Sequence, residues 1–262
     1  MENFVMLIIE PIHAFSDNYI WLVYDDESRN AFVVDPGDAQ PVESKLEELA
    51  LNLEGVLITH HHFDHVGGLA ELSAGRDLVI YGPHNPAIEA ITHRLAGGDT
   101  IVALGEEFAV TEVPGHTLDH IAYFNNGDQP VLFCGDTLFA GGCGRMFEGT
   151  APMMLNSLEA LAALPTNTKV YCAHEYTLAN LAFAQAVEPD NAALAERVKH
   201  AVATREQGQP TVPSNIGLEL ATNPFLRCTE PSVAATMKEN GMLAGSEPAE
   251  VFAAVRGWKD NF

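Results

Sequence analysis

Positive charge is scarce in this chain: 13 lysines and arginines stand against 36 aspartates and glutamates, a formal net charge of -23. A surface of that sign repels phosphate backbones, so nucleic acid is excluded as an expected partner, and any basic residue at a functional position becomes informative. Long hydrophobic runs are also missing. Nothing approaches the roughly 20 apolar residues that span a bilayer, so no membrane partner is expected. Glu2 occupies a place where a secretion signal carries positive charge, and the apolar stretch from Phe4 to Ile9 is too short for its hydrophobic region. These absences predict a soluble, cytoplasmic protein. Cysteine is sparse. Cys134, Cys143, Cys172 and Cys228 form no Cys-x-x-Cys pair, and Cys134 and Cys172 lie in apolar strand-like runs, which predicts buried free thiols rather than disulfides.

What is present suffices for a sizeable core: 47% of the 262 residues are hydrophobic, room for one large domain or a domain with an appendage. Short apolar runs between turns predict strands at Tyr19 to Tyr24, Ala31 to Val34, Val56 to Thr59, Leu78 to Tyr81, Glu107 to Val113, Ile121 to Phe124, Val131 to Cys134 and Lys169 to Cys172. Asp35-Pro36-Gly37-Asp38 reads as a turn. Helical spacing marks Pro41 to Leu51, Val66 to Leu72, and Met153 to Leu164 led by Thr150 or Pro152. Beyond about residue 175 strand candidates disappear. Thr177 to Val187, Asn191 to Glu206, Ser232 to Asn240 and Pro248 to Trp258 are helical patterns, with Gly241 a C-cap. The expected class is α+β, a mixed domain followed by a small helical one.

The stretch Thr59-His60-His61-His62-Phe63-Asp64-His65, followed by Val66-Gly67-Gly68, concentrates imidazole and carboxylate donors. His60, His62, Asp64 and His65 are too many for a closed tetrahedral site that also draws ligands from elsewhere, so the simplest geometry is two adjacent metals. His61 points opposite to its neighbours in an extended segment and is left out. His116, Asp136 and His174 each follow an apolar run and adjoin small residues, as site residues at strand ends do. Five histidines and two aspartates, with one carboxylate bridging, satisfy two cations and leave a position for solvent. Nitrogen and oxygen donors accept zinc first, with iron or manganese as alternatives. Coordination lowers the pKa of water to about 7, so a hydroxide shared by two cations is the expected attacking species.

In that order the cluster, His116, Asp136 and His174 resemble the metallo-β-lactamase superfamily. Gly135-Asp136-Thr137-Leu138-Phe139, Gly142-Cys143-Gly144-Arg145-Met146-Phe147-Glu148-Gly149-Thr150 and His174-Glu175-Tyr176-Thr177 narrow the resemblance to glyoxalase II, the hydroxyacylglutathione hydrolases. Asn223-Pro224-Phe225-Leu226-Arg227 and Arg256-Gly257-Trp258-Lys259-Asp260 fit as well, so it spans essentially the whole chain. It implies an αββα sandwich over residues 1–174 and a helical glutathione-binding domain over 175–262. It implies His60, His62 and His116 on one metal, Asp64, His65 and His174 on the other, and Asp136 bridging, with Asp64 and Asp136 catalytic. It further implies hydrolysis of S-D-lactoylglutathione to D-lactate and glutathione, with Arg145, Phe147, Tyr176, Arg256 and Lys259 contacting glutathione. Phe147 stands where family members often carry Tyr, which removes a hydroxyl contact. A thioester suits such a site because thiolate leaves without a strong acid. The expected partner is the glutathione thioester alone, bound by a monomer.

Overall fold

The computed structural model describes residues 7–262, so Glu2 and the first half of the Phe4 to Ile9 stretch lie outside the described residues. The chain divides into two compact units. One holds the residues up to Glu112 together with Asp119–Gly135; the other holds Val113–Leu118 and Asp136–Phe262.

In the first unit, β1 (Ile8–Ala14), β2 (Asn18–Tyr24) and β3 (Asn30–Val34) run antiparallel. After α1 (Ala39–Leu49), β4 (Asn52–Leu57) pairs parallel with β3. Two short helices, α2 (Phe63–Val66) and α3 (Leu69–Leu72), precede β5 (Val79–Pro83) and β6 (His93–Leu95), which extend the sheet in parallel. All seven residues of β2 are buried, as expected of a strand covered on both faces. Asp38 caps α1 by accepting from the Gln40 amide at 3.0 Å, and Val42 and Leu46 turn into the core with Leu22, Val33 and Val56. A second, antiparallel run follows: β7 (Thr100–Ala103), β8 (Glu106–Glu112), β9 (Ile121–Asn125) and β10 (Val131–Gly135). Tyr123 Oη donates to Ile58 O at 2.8 Å and the Ile121 amide to Thr59 O at 2.9 Å. Those two bonds pin the end of β4, where the histidine stretch begins.

The helix expected over Val66 to Leu72 is instead two single turns broken at Gly67-Gly68. The reason is a close passage of backbone. The Gly68 amide donates to Pro36 O at 2.9 Å, and a Cβ on Gly68 would fall 2.7 Å from both Pro36 O and the Ala39 nitrogen. The glycines let the Asp35 to Asp38 turn lie against the histidine stretch, and the helix yields.

The second unit begins with the hairpin of β11 (Leu138–Phe139) and β12 (Gly142–Cys143), then α4 (Ala151–Ala162), capped by Thr150, and β13 (Lys169–Cys172). Helices α5 (Thr177–Val187) and α6 (Ala192–Glu206) follow. The disappearance of strands expected beyond residue 175 is corrected here: β14 (Ser214–Asn215) pairs antiparallel with β13, and α7 (Ile216–Thr222) starts at once, capped by Asn215. Two residues carry no readable period, and a seven-residue helix makes barely two turns. Tertiary bonds hold them instead. Buried Arg197 pairs with Glu219 and donates to Thr222 Oγ1 and Ser214 Oγ, while Glu219 Oε2 accepts from the Gly141 and Asn223 nitrogens. A buried charge pair is tolerable when its polar atoms are this well satisfied. Helices α8 (Pro231–Glu239) and α9 (Pro248–Lys259) complete the unit. All four cysteines are buried thiols outside any disulfide, as expected. The mixture of sheets and helices is α+β, as expected, and among the described residues no helix is long and apolar enough to cross a membrane.

Candidate metal centre

In the first unit the donors are arranged by a carboxylate the sequence marked only as a turn residue. Asp35 is buried and held at φ 52° where β3 ends. Its Oδ1 accepts from the Thr59 amide at 2.8 Å and its Oδ2 from Thr59 Oγ1 at 2.7 Å. The same Oδ2 faces His65 Nδ1 at 3.0 Å. Thr59 has committed its hydroxyl proton to Asp35, so Oγ1 accepts from His60 Nδ1 at 3.1 Å. This network assigns the proton of both rings to Nδ1 and turns the Nε2 lone pairs away from it. His60 Nε2 then meets His62 Nδ1 at 3.1 Å, and His65 Nε2 meets Asp64 Oδ2 at 3.5 Å. The four donors divide into two pairs, His60 with His62 and Asp64 with His65. Asn18 Nδ2 donates to Asp64 Oδ2 at 2.9 Å and steadies the second pair. His61 faces Asp119 at 2.9 Å instead. His120, which the sequence left without a role, stacks on the His60 ring at 4.5 Å.

The second unit carries His116, Asp136 and His174. Asp136 is buried, with Oδ2 3.3 Å from His116 Nε2 and Oδ1 3.4 Å from His174 Nε2. One carboxylate thus presents an oxygen to each of two imidazoles. His116 Nδ1–H donates to Arg145 O at 2.7 Å, again leaving Nε2 as the donor atom. A Cβ on Gly144 would fall 1.9 Å from Asp136 O and 3.2 Å from His116 Nδ1, which is why glycine stands between Cys143 and Arg145. The His174 ring stacks on Tyr176 at 4.8 Å and 6°, and Phe147, exposed, meets His116 edge-on at 5.3 Å.

The three basic residues singled out in the sequence also lie in this unit. Arg145 is exposed and donates through Nε to Asp260 Oδ1 at 3.3 Å. Arg256 is 6% exposed; it donates to Cys143 O at 3.1 Å and to Asp260 Oδ1 at 2.9 Å, and lies 5.1 Å from the centre of the Phe225 ring. Lys259 Nζ donates to Ala179 O at 3.2 Å over the Phe183 ring. Its ammonium pKa is lowered by burial first and by Arg256 second. Asp260, which sequence reasoning missed, accepts from both arginines; it stands four residues after Arg256, a spacing that pairs side chains on one helix face.

The donor set suits a pair of borderline cations. It offers imidazole nitrogen and carboxylate oxygen and no thiolate. Two ring nitrogens 3.1 Å apart, as in His60 and His62, need a proton or a cation between them. In the first unit the donors form two pairs, and in the second Asp136 has one oxygen for each of His116 and His174.

The description "Metallo-beta-lactamase superfamily" matches residues 15–174, and "Hydroxyacylglutathione hydrolase C-terminus" matches 175–262. A hydroxyacylglutathione hydrolase of Pseudomonas aeruginosa (strain LESB58) is 53% identical over 98% of this chain and 100% of its own length. One from Chromohalobacter salexigens is 50% identical over the same shares. Among solved structures, ETHE1 from Myxococcus xanthus is similar at a TM-score of 0.65 and 26% identity, covering 97% of this chain and 98% of that one. The histidine and aspartate clusters are compatible with the binuclear metal site of this fold. Over nearly its full length, therefore, the chain belongs to the hydroxyacylglutathione hydrolases of the metallo-β-lactamase superfamily.

Proposed function

We propose that the chain hydrolyses S-D-lactoylglutathione, and other S-2-hydroxyacylglutathiones, to the 2-hydroxy acid and glutathione. His60, His62 and His116 would hold one cation, Asp64, His65 and His174 the other, and Asp136 both. Zinc in both places is the reading we favour. When bound, such a pair supplies a water deprotonated near neutral pH and a Lewis acid for the thioester carbonyl. The observation that carries the reading is the Asp136 carboxylate, with its two oxygens 3.3 and 3.4 Å from different imidazoles.

The chain's own residues do the rest. Asp35 and Thr59 fix the tautomers of His60 and His65, and the Arg145 carbonyl fixes that of His116. Asn18 holds Asp64 so that this carboxylate orients the attacking water. Glutathione carries two carboxylates, and a chain of net charge -23 binds such an anion only through a local basic patch. Arg145 and Lys259 provide it, with Tyr176 and Phe147 as apolar walls. Arg256 supports the patch from behind by joining α9 to Cys143. The domain of residues 175–262 is the glutathione-binding part, and the protein acts as a cytoplasmic monomer; four buried thiols outside any disulfide fit a reducing compartment.

The test is steady-state hydrolysis of S-D-lactoylglutathione by purified protein, with metal content measured on the same sample. Turnover with about two equivalents of metal per chain is expected. Fully loaded protein that leaves the thioester intact overturns the assignment.

A further inference from the structure

His116 does not stand in the strand system that flanks it in sequence. Val113–Leu118 leaves the first unit and belongs to the second, although the residues on either side belong to the first. Four hydrogen bonds within the second unit explain this. His116 Nδ1–H donates to Arg145 O at 2.7 Å, the Phe147 amide to His116 O at 3.1 Å, the Gly149 amide to Gly115 O at 3.1 Å, and the Leu118 amide to Glu148 Oε2 at 2.7 Å. The fit leaves no room for sliding: a Cβ on Gly149 would fall 2.5 Å from Gly115 Cα, and one on Gly115 would fall 2.8 Å from Met154 Cβ. Ser157 Oγ adds a bond to Pro114 O at 2.8 Å. The loop with the metal-ligand candidate and the segment with Arg145 and Phe147 are laced into one body.

Three of the four lacing bonds use main chain on the 145–149 side. The fourth uses the side chain of Glu148, an exposed residue with no assigned part in metal or substrate binding. We infer that Glu148 is a positioning residue, and that through this lacing the grip on glutathione and the retention of the metal at His116 reinforce each other. The inference rests on the assignment of Arg145 and Phe147 to glutathione. A ligand that orders residues 145–147 also orders the His116 carbonyl and ring bonded to them, and such coupling is reciprocal: metal at His116 must then tighten the ligand.

The probe is S-methylglutathione, a thioether with no bond for the enzyme to hydrolyse and no free thiol to bind metal. Two-metal protein is exposed to dipicolinate with and without it, and the metal remaining is counted over time. Wild-type protein is expected to release one of its two equivalents several-fold more slowly with the probe. Glu148→Ala should release that equivalent about tenfold faster, gain no protection from the probe, and lose more in kcat than in KM. Glu148→Gln, which keeps an acceptor for the Leu118 amide, should restore all three. Because Glu148 is exposed, the Ala variant should keep the wild-type circular dichroism. Absence of protection in wild type overturns the inference, as does a Glu148→Ala variant that behaves like wild type or like Glu148→Gln. Wild-type turnover of S-D-lactoylglutathione, measured in parallel, separates the two ideas: if it persists, only the coupling has failed.

Discussion

The two units build their shares of the donor set in opposite ways. The first unit takes all four donors from six consecutive residues and locks them from behind with a buried polar net, Asp35, Thr59 and Asn18. The second gathers three donors from three distant loops and sets exposed rings against two of them, Phe147 on His116 and Tyr176 on His174. One half is a fixture: local sequence supplies its donors, and buried polar groups 24 and 46 residues away hold them. The other is assembled from loops far apart in sequence and carries exposed side chains beside it. Under the proposed assignment metal placement and substrate grip draw unequally on the two units, and mutations should separate them.

The largest effect is expected from Asp136→Asn, which removes a carboxylate aimed at two imidazoles. Metal content should fall to one equivalent or fewer and kcat by more than about 100-fold, beyond the range typical of a supporting residue. A variant with two metals and full activity would erase the role given to the second unit. Next comes Asp35→Asn in the first unit. The amide can offer His65 and Thr59 a hydrogen where they need an acceptor, so metal affinity should drop about 10–100-fold, read by chelator competition, with KM nearly unchanged. A rise in KM instead would blur the division between fixture and grip. On the grip side, Lys259→Ala should raise KM by about tenfold and spare kcat, because the ammonium holds ground and transition states alike. Arg256→Ala should raise KM as well and also lower the melting temperature, since this guanidinium is buried between Cys143 O and Asp260. The smallest effect is a pH dependence. The Lys259 ammonium has its pKa lowered, by burial and then by Arg256, so it discharges at lower pH than an exposed lysine. KM should therefore climb earlier on the alkaline side than kcat falls, and Lys259→Arg should flatten that climb.

Legibility followed the same division. The first unit's candidate ligands were readable because they are contiguous and mixed with a carboxylate at an informative offset. His116, Asp136 and His174 were readable only because each follows an apolar run. Asp35 ends such a run too, after Val33-Val34, and that signal was overshadowed by the turn chemistry of Pro36-Gly37. Asn18 and Glu148 gave none: a lone amide in a strand and a glutamate in a glycine-rich loop acquire meaning only from what lies across from them. In the fold, β14 and α7 escaped because their stability comes from Arg197 and Glu219 rather than from any period, and the break at Gly67-Gly68 was set by backbone arriving from Pro36.

The four sheltered cysteines acquire a meaning from the chemistry around them. Every turnover of a glutathione thioester sets free a thiol, and where that thiol is oxidised it becomes a disulfide open to attack by any reachable protein thiolate. Burial pushes the Cys143 thiol up to about 11 and the Cys172 thiol up to about 12, and raises that of Cys228 as well. At neutral pH these side chains hold almost no thiolate, the form that exchanges. The catalyst can thus work in a pool of its own sulfur product without being capped by it.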